Sequence, residues 1–544
     1  MNIPNSNELW QDGWRQQIPA QLAQQWDLVI VGGGITGAGI LLEAARRGLK
    51  VLLIEQRDFA WGTSSRSSKL VHGGLRYLKE GKFQLTRESV QERQNLMQEA
   101  AGLVDQQSFA FADYQGRKPG RWMFALGLAI YDRMAGQRGR HYYPADEFLQ
   151  LAPHIGQDGL NGGLCYVDAK TDDARLVLRV LQEAQSFGGL AINYLAARTL
   201  LREGDALNAE VSGKVNGLEL VDAISGAIHR VHAKVVISAT GAWADGLRQQ
   251  QGAPAKLRPL RGSHLVFPAW RLPVAQAISL MHPQDGRPVF CFPWEGATLV
   301  GTTDVDHGAD LQIEASITPD EVAYLMAALA FQFPQLALCL DDVLATYAGV
   351  RPVIDSGKAD PSKEGRDHAV WLEQGLLTVT GGKLTTFRLI ALDALKHVAP
   401  LLPHWQQALT LTPLFRRAPA MPNDKRLSSG QQQRLQGRYG QQAAAVLAAA
   451  KSGELETIAG TETMWLELRW AARNEAVMHL EDLLLRRTRL GLLLRAGGLD
   501  ILPRIRAICQ AELGWDDVRW DCEQQAYLSL WQKHYSLPTR NADQ

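Results

Sequence analysis

The sequence predicts an α/β protein with three parts: a Rossmann-like domain, an antiparallel-sheet layer and an all-α C-terminal domain. Three observations predict it. Residues 27–57 run through an apolar strand, a glycine-rich turn, a helix and a second apolar strand. Residues 256–344 break into short β-rich segments, and residues 424–544 carry helical periodicity.

The first of these stretches organises the rest. Leu28 to Val31 form a short apolar strand that runs directly into Gly32-x-Gly34-x-x-Gly37, a helical run Ala38 to Arg47, and a second strand, Val51 to Ile54, closed by Glu55. This is a βαβ unit of about 30 residues with the marks of a dinucleotide site. Gly32 permits the tight turn, Gly34 lets backbone approach a pyrophosphate, and Gly37 lets helix and strand pack closely. The helix N-terminus offers N–H groups and a positive dipole end to phosphates. Glu55 lies where a carboxylate accepts bonds from ribose hydroxyls and repels an extra 2′-phosphate.

The chain of 544 residues is too long for one core and is expected to fold as two or three domains. A formal net charge of zero argues against wholesale binding to nucleic acid. Cys165, Cys291, Cys339, Cys509 and Cys522 are scattered and lack CxxC spacing, which favours a reducing compartment over a metal site or disulfide framework. Residues 1–24 are polar and glutamine-rich with Trp10 and Trp14, without the apolar core of a signal peptide, and read as an extension packed on the surface. No apolar run reaches the roughly eighteen residues of a spanning helix, so the protein is expected to be soluble or bound to one membrane face.

After the βαβ unit comes GTSSRSSKLVHGGLRYL (62–78), whose hydroxyls and backbone donors suit a pyrophosphate and the ring it carries. A solvated loop and helix cap explain Thr63 and Ser64 equally well, but not His72-Gly73-Gly74 beside Arg76 and Tyr77. Together with GGGITGAGI, this stretch resembles the FAD-dependent glycerol-3-phosphate dehydrogenases, within the glycine/D-amino-acid-oxidase-like superfamily. The resemblance extends through TDDARL (171–176), ATGAW (239–243), RGSHLVFP (261–268), GTTDV (301–305), YAGVRP (347–352) and GGKLTTFR (381–388), and more weakly through LRRTRLG (485–491). Two departures stand out: Ala242 where the family commonly has proline, and Phe387 where tyrosine is usual.

The resemblance implies FAD, expected to be noncovalent because no attachment motif is evident, contacted by Gly32, Gly34, Ile35, Thr36, Gly37, Glu55, Thr63, Ser64, Ser67, Lys69, His72, Gly73, Gly74, Gly241, Gly381, Gly382, Lys383, Leu384 and Thr385. It places the FAD-binding parts at about 25–115, 160–255 and 345–405 and the substrate-binding sheet at 256–344, within an oxidoreductase region spanning 25–405. A proline-bearing linker (406–423) and a helical domain (424–544) follow. Between Arg117 and Arg140, an apolar run from Trp122 to Tyr131 sits among six basic residues. Such a segment can lie in a membrane interface and attract anionic lipid, or be a buried helix with solvated ends. The resemblance favours the membrane, with the protein peripheral on the inner face of the cytoplasmic membrane and feeding a quinone. A homodimer is left open.

Oxidising a secondary alcohol needs a hydride acceptor, a proton acceptor and an orienting group. Flavin supplies the first. For a phosphorylated alcohol the last is cationic, and Arg76, Arg351 and Lys383 each lie beside glycines or in a turn within a matching motif. His72 and His264 are the candidates for proton transfer, and Tyr77 adds a hydroxyl. The expected reaction is sn-glycerol 3-phosphate to dihydroxyacetone phosphate. The alternatives are an oxidase using dioxygen, a superfamily member with another substrate, and a flavin-binding electron carrier. Asp168, Asp172 and Asp173 read as helix caps, the RRTR cluster at 486–489 as a solvated or salt-bridged face, and residues 475–494 as a helical run.

Overall fold

The computed structural model describes residues 10, 11, 13–75, 78, 81–117, 120–136, 139–203, 213–360, 364, 365, 367–422 and 424–538. Two sheets carry the architecture. The first has parallel strands at its centre, in the order Leu376–Gly381, Ile228–Ser238, Gln25–Val31, Val51–Ile54, Leu190–Ile192. Its central strands are buried on both faces, which is why they read as unbroken apolar runs rather than alternating ones. Helices Ile35–Ala45, Asp173–Gln185 and Phe387–Val398 cover one face and build the largest apolar core. At Gly32 the backbone turns with φ +115°, and a Cβ there would lie 2.5 Å from the Ala239 carbonyl oxygen. A Cβ at Gly37 would lie 1.9 Å from the Gly32 carbonyl oxygen, so only glycine lets the helix start this close to the strand.

The second sheet is largely antiparallel and includes Leu257–Pro268, Ala277–Met281, Pro288–Trp294, Ala297–Gly301 and Ala345–Ile354. It is wider than the segment 256–344. Val104–Tyr114, Leu160–Thr171 and Leu70–Val71, expected among the FAD-binding parts, pair into it and tie it to the first domain.

The C-terminal part is helical, with Ser429–Tyr439, Trp465–Asn474, Leu502–Leu513 and Asp517–His534 as its longer helices. The expected run 475–494 is broken into a π-helical turn at Asp482–Arg487, Arg489 at φ +63°, and a short helix Leu490–Leu493. The break has a physical cause. Arg486, Arg487 and Arg489 turn inward to carboxylates of the first domain, which a straight helix would not allow all three to reach.

The N-terminal stretch is likewise more than a surface extension. Trp10 is buried, its ring centroid 5.2 Å from that of Phe59, and its indole donates to the Ala191 carbonyl at 3.1 Å. Helix Arg121–Ala135 buries only a narrow face, at Leu128, Tyr131 and Asp132. Among the described residues, no helix is long and apolar enough to cross a membrane.

Candidate active site

Loop 62–74 leaves the dinucleotide domain and lies across the second sheet. At its start Ser64 Oγ accepts from the Ile35 N–H at 2.9 Å, satisfying a donor at the N-terminus of the glycine-turn helix. Glu55 accepts from the Gly33 N–H at 2.7 Å and the Arg57 N–H at 3.0 Å. Burial pushes its carboxyl above the usual range, opposed by these two bonds. Thr63 donates to the Val350 carbonyl, and the Tyr347 hydroxyl donates to the Ser67 carbonyl at 3.0 Å. Loop and sheet are thereby stitched together.

The sheet beneath is the pair Leu257–Pro268 and Ala345–Ile354, with His264 opposite Tyr347, Gly262 opposite Gly349 and Leu260 opposite Arg351. Directly paired residues share a face, so His264 and Arg351 point to the same side. The His264 ring stacks on Tyr347 with centroids 4.5 Å apart and planes 8° from parallel, and its Nε2 is 2.9 Å from Ser68 Oγ. It is almost wholly enclosed. Burial, with the positive charges of Arg351 and Lys69, holds the imidazole well below its ordinary pKa and therefore neutral. The Arg351 guanidinium crosses over Gly262, where a Cβ would lie 2.1 Å from Nη2. It donates to Asp304 Oδ1 at 2.9 Å and Thr302 Oγ1 at 3.0 Å. A Cβ at Gly349 would lie 2.5 Å from the Arg66 carbonyl oxygen, so this glycine lets the loop press onto the sheet.

A third segment closes the group. Strand Leu376–Gly381 ends at Gly381 and Gly382, both with positive φ, and Lys383 precedes a short 3-10 turn, Leu384–Thr386. Thr385 Oγ1 donates to the His72 carbonyl at 3.1 Å, and Thr380 Oγ1 to the Gly241 carbonyl at 3.0 Å. The His72 ring is exposed, whereas the Gly73 N–H donates to Tyr131 Oη and Asp168 Oδ1 at 2.9 and 3.1 Å. Asp168 also pairs with Arg93 at 2.7 Å, a structural use beyond helix capping.

The structure thus gathers Gly32–Gly37, Glu55, Thr63–Gly74, Gly241, His264, Arg351 and Gly381–Thr385 around one loop. Arg76 and Tyr77 lie outside the described residues. Lys69, expected as a cofactor contact, turns its side chain to Asp173. Its ammonium is fully enclosed, 2.9 Å from both Asp173 carboxylate oxygens, and burial drags its pKa down to about 7 against the pull of Asp173. Ser67 also turns to Asp173, through N–H and Oγ at 3.0 and 2.7 Å. Asp172 does cap its helix, accepting from the Arg175 N–H at 3.3 Å, and in addition pairs with Arg438 and Arg489. Ser68, Asp304 and Tyr347 were not singled out from sequence, although each sits within a motif quoted there. Their roles depend on which strand lies opposite, which local sequence does not show.

The residues present fit a bound dinucleotide. The glycine cradle fills if any Cβ is added, a helix N-terminus faces the turn, and a carboxylate closes the second strand. A model of the family "FAD dependent oxidoreductase" matches residues 27–388. The chain belongs to that family. Its cofactor is FAD. A second model, the C-terminal domain of alpha-glycerophosphate oxidase, matches residues 405–520.

An aerobic glycerol-3-phosphate dehydrogenase of Staphylococcus epidermidis is 39% identical over 375 residues, 68% of this chain and 66% of that protein. The chain therefore spans about two thirds of that relative's length in the alignment. One from Staphylococcus haemolyticus is 32% identical over 491 residues, 86% of this chain and 87% of that protein. The glycerol-3-phosphate dehydrogenase of Bacillus halodurans, solved with FAD, superposes with a TM-score of 0.75 at 26% identity, covering 96% of this chain and 98% of that one. Phe387, the departure from tyrosine, packs its ring against Gly39 in the core, where a hydroxyl would need a partner.

Proposed function

We propose that this enzyme oxidises sn-glycerol 3-phosphate to dihydroxyacetone phosphate and passes the electrons to a membrane quinone. The observation that carries the reading is the placement of Arg351 and His264 on one face of paired strands, directly beneath the dinucleotide loop. Bound FAD supplies the hydride acceptor.

The chain's own residues do the rest. Arg351 is braced by Asp304 and Thr302, so its planar fork is held in place before the substrate phosphate arrives; Arg76 and Lys383 complete the cationic set. The C2 hydroxyl proton goes to His264, which is neutral; burial and the charges of Arg351 and Lys69 disfavour its protonated form, so it holds the proton only in passing. Because His264 lies within the wall, Ser68 Oγ, 2.9 Å from Nε2, relays that proton. His72, whose ring is exposed, is the second candidate base. Cofactor attachment is noncovalent.

Helix Arg121–Ala135 supports docking to the anionic inner face of the cytoplasmic membrane. Trp122, Met123 and Leu126 are 76%, 66% and 65% exposed on its outer side, flanked by exposed Arg117, Arg121 and Arg133.

The test is steady-state reduction of a soluble quinone analogue by sn-glycerol 3-phosphate. Arg351→Ala is expected to lose about 100-fold or more in kcat/KM, ~2.7 kcal/mol of transition-state binding. An unchanged apparent affinity would remove Arg351 from the phosphate site. His264→Asn and Ser68→Ala are expected to lower kcat by about 100-fold. If His72→Asn does so instead, the base is His72. Peroxide formed in step with substrate use marks the oxidase alternative.

A further inference from the structure

Away from the active site, a cavity of about 1010 Å³ opens where the linker crosses the seam between the FAD-binding and helical domains. Arginines from three segments line it: Arg46 at the end of the glycine-turn helix, Arg179 on helix Asp173–Gln185, and Arg416 and Arg417 on the linker. We propose that it is a second anion site, which takes a phosphorylated small molecule unrelated to the substrate pocket.

The charge balance favours an anion. Glu43 is shared between Arg46 and Arg47, and Glu183 between Arg179 and Arg416. Glu99 also faces the cavity, but Arg388 lies 4.0 Å from it. Arg417 has no carboxylate partner among the described residues, so positive charge outnumbers negative around the opening.

The donors favour one too. Arg46 spends its terminal nitrogens on the Thr412 hydroxyl and on the Pro413 and Leu414 carbonyls, which fixes the linker wall, yet its buried Nε–H has no acceptor. Arg179 is 95% buried at its side chain and donates from Nη1 to Glu183 at 2.9 Å, while its Nε–H also lacks an acceptor. Both Nε atoms have almost no accessible surface and sit behind the wall, so a ligand in the cavity would be met by the exposed guanidinium groups of Arg416 and Arg417. Phe415 lies under Arg179, its centroid 4.2 Å from Cζ, and Phe187 lies within 5.5 Å of both Arg46 and Arg416. The rings pack against the guanidinium groups and help to fix their positions around the opening. A multiply charged phosphate group satisfies several such forks at once.

The test is calorimetric titration of the FAD-loaded enzyme with inorganic phosphate, pyrophosphate and ATP, which separate a bare phosphate site from one that needs a larger phosphoryl ligand. Saturable binding of at least one probe is expected, and it should persist in Arg351→Ala, which separates it from the substrate phosphate site. Arg417→Ser is expected to weaken it about tenfold, ~1.4 kcal/mol, while leaving flavin reduction by substrate unchanged. Arg416→Ser combined with Arg417→Ser is expected to weaken it further. Binding should also raise the melting temperature in proportion to the logarithm of probe concentration. Three outcomes overturn the proposal: no saturable binding by any probe up to ~10 mM, loss of the binding in Arg351→Ala, or undiminished affinity in the double variant.

Discussion

Two arginine-rich stretches of this chain look alike as sequence and end in opposite environments. Around helix Arg121–Ala135, Arg117, Arg121 and Arg133 point outward beside an exposed tryptophan, methionine and leucine. At 486–489, the side chains of Arg486, Arg487 and Arg489 are 1%, 0% and 2% exposed. Arg486 and Arg487 both grip Asp58, and Arg489 pairs with Asp172 and Asp173. Salt-bridged was therefore the right half of the sequence expectation and solvated the wrong half. What separates the two is the supply of carboxylates from elsewhere in the chain. Asp58, Asp172 and Asp173 sit on the first domain where the tail docks, whereas the amphipathic helix carries Asp132, which is buried on its inner face and pairs with the exposed Arg140.

The comparison breaks most visibly if one of those carboxylates is removed. Asp58→Ala leaves two buried guanidinium groups without their shared partner and is expected to cost about 3–5 kcal/mol, read as a lowered denaturation midpoint. A change within about 0.5 kcal/mol would mean that the seam carries no net stability. Acid should loosen a second buried cluster, this one inside the helical domain. Burial alone would raise Glu467, but Arg434 and Arg438 hold it down to about 2. A carboxylate depressed on folding stabilises fully above its unfolded value of about 4.5 and loses that contribution as pH falls toward 2. The urea midpoint should therefore drop across that window, and Glu467→Gln should flatten the drop.

The exposed stretch should respond the other way round. Trp122→Ser with Leu126→Ser is expected to weaken binding to anionic vesicles by about 100-fold or more, each apolar side chain being worth about 1.5–3 kcal/mol when buried in lipid. Folding stability should move by less than about 0.5 kcal/mol. Equal vesicle binding by the double variant would leave the helix as an ordinary surface element. The smallest effect belongs to Arg121→Ala, about 1 kcal/mol of vesicle affinity, and it should vanish at high salt.

Legibility followed sequence distance. The glycine turn, both flanking strands and Glu55 could be read because strand, turn, helix and terminal acid are neighbours in sequence, and each glycine answers a local crowding. The motifs around His264, Arg351 and Lys383 could be found, but not that His264 stacks on Tyr347 or that Asp304 braces Arg351, since those contacts need strand register. The ion pair of Lys69 was hidden because its partner, Asp173, lies 104 residues away. Trp10, polar in its surroundings along the chain, enters the core through a pocket made by Phe59 and Ala191. The C-terminal break at 482–490 was invisible for the same reason: periodicity reports apolar faces, not the pull of distant carboxylates.

The most direct measurement of the proposed activity is the anaerobic absorbance of the FAD-loaded enzyme before and after adding sn-glycerol 3-phosphate, with glycerol as control. The account predicts that the phosphate ester alone bleaches the flavin band, and that Arg351→Ala needs far more ester to do so. Flavin that stays oxidised with both compounds would contradict the substrate assignment, and bleaching by glycerol at equal concentration would contradict the role given to the phosphate.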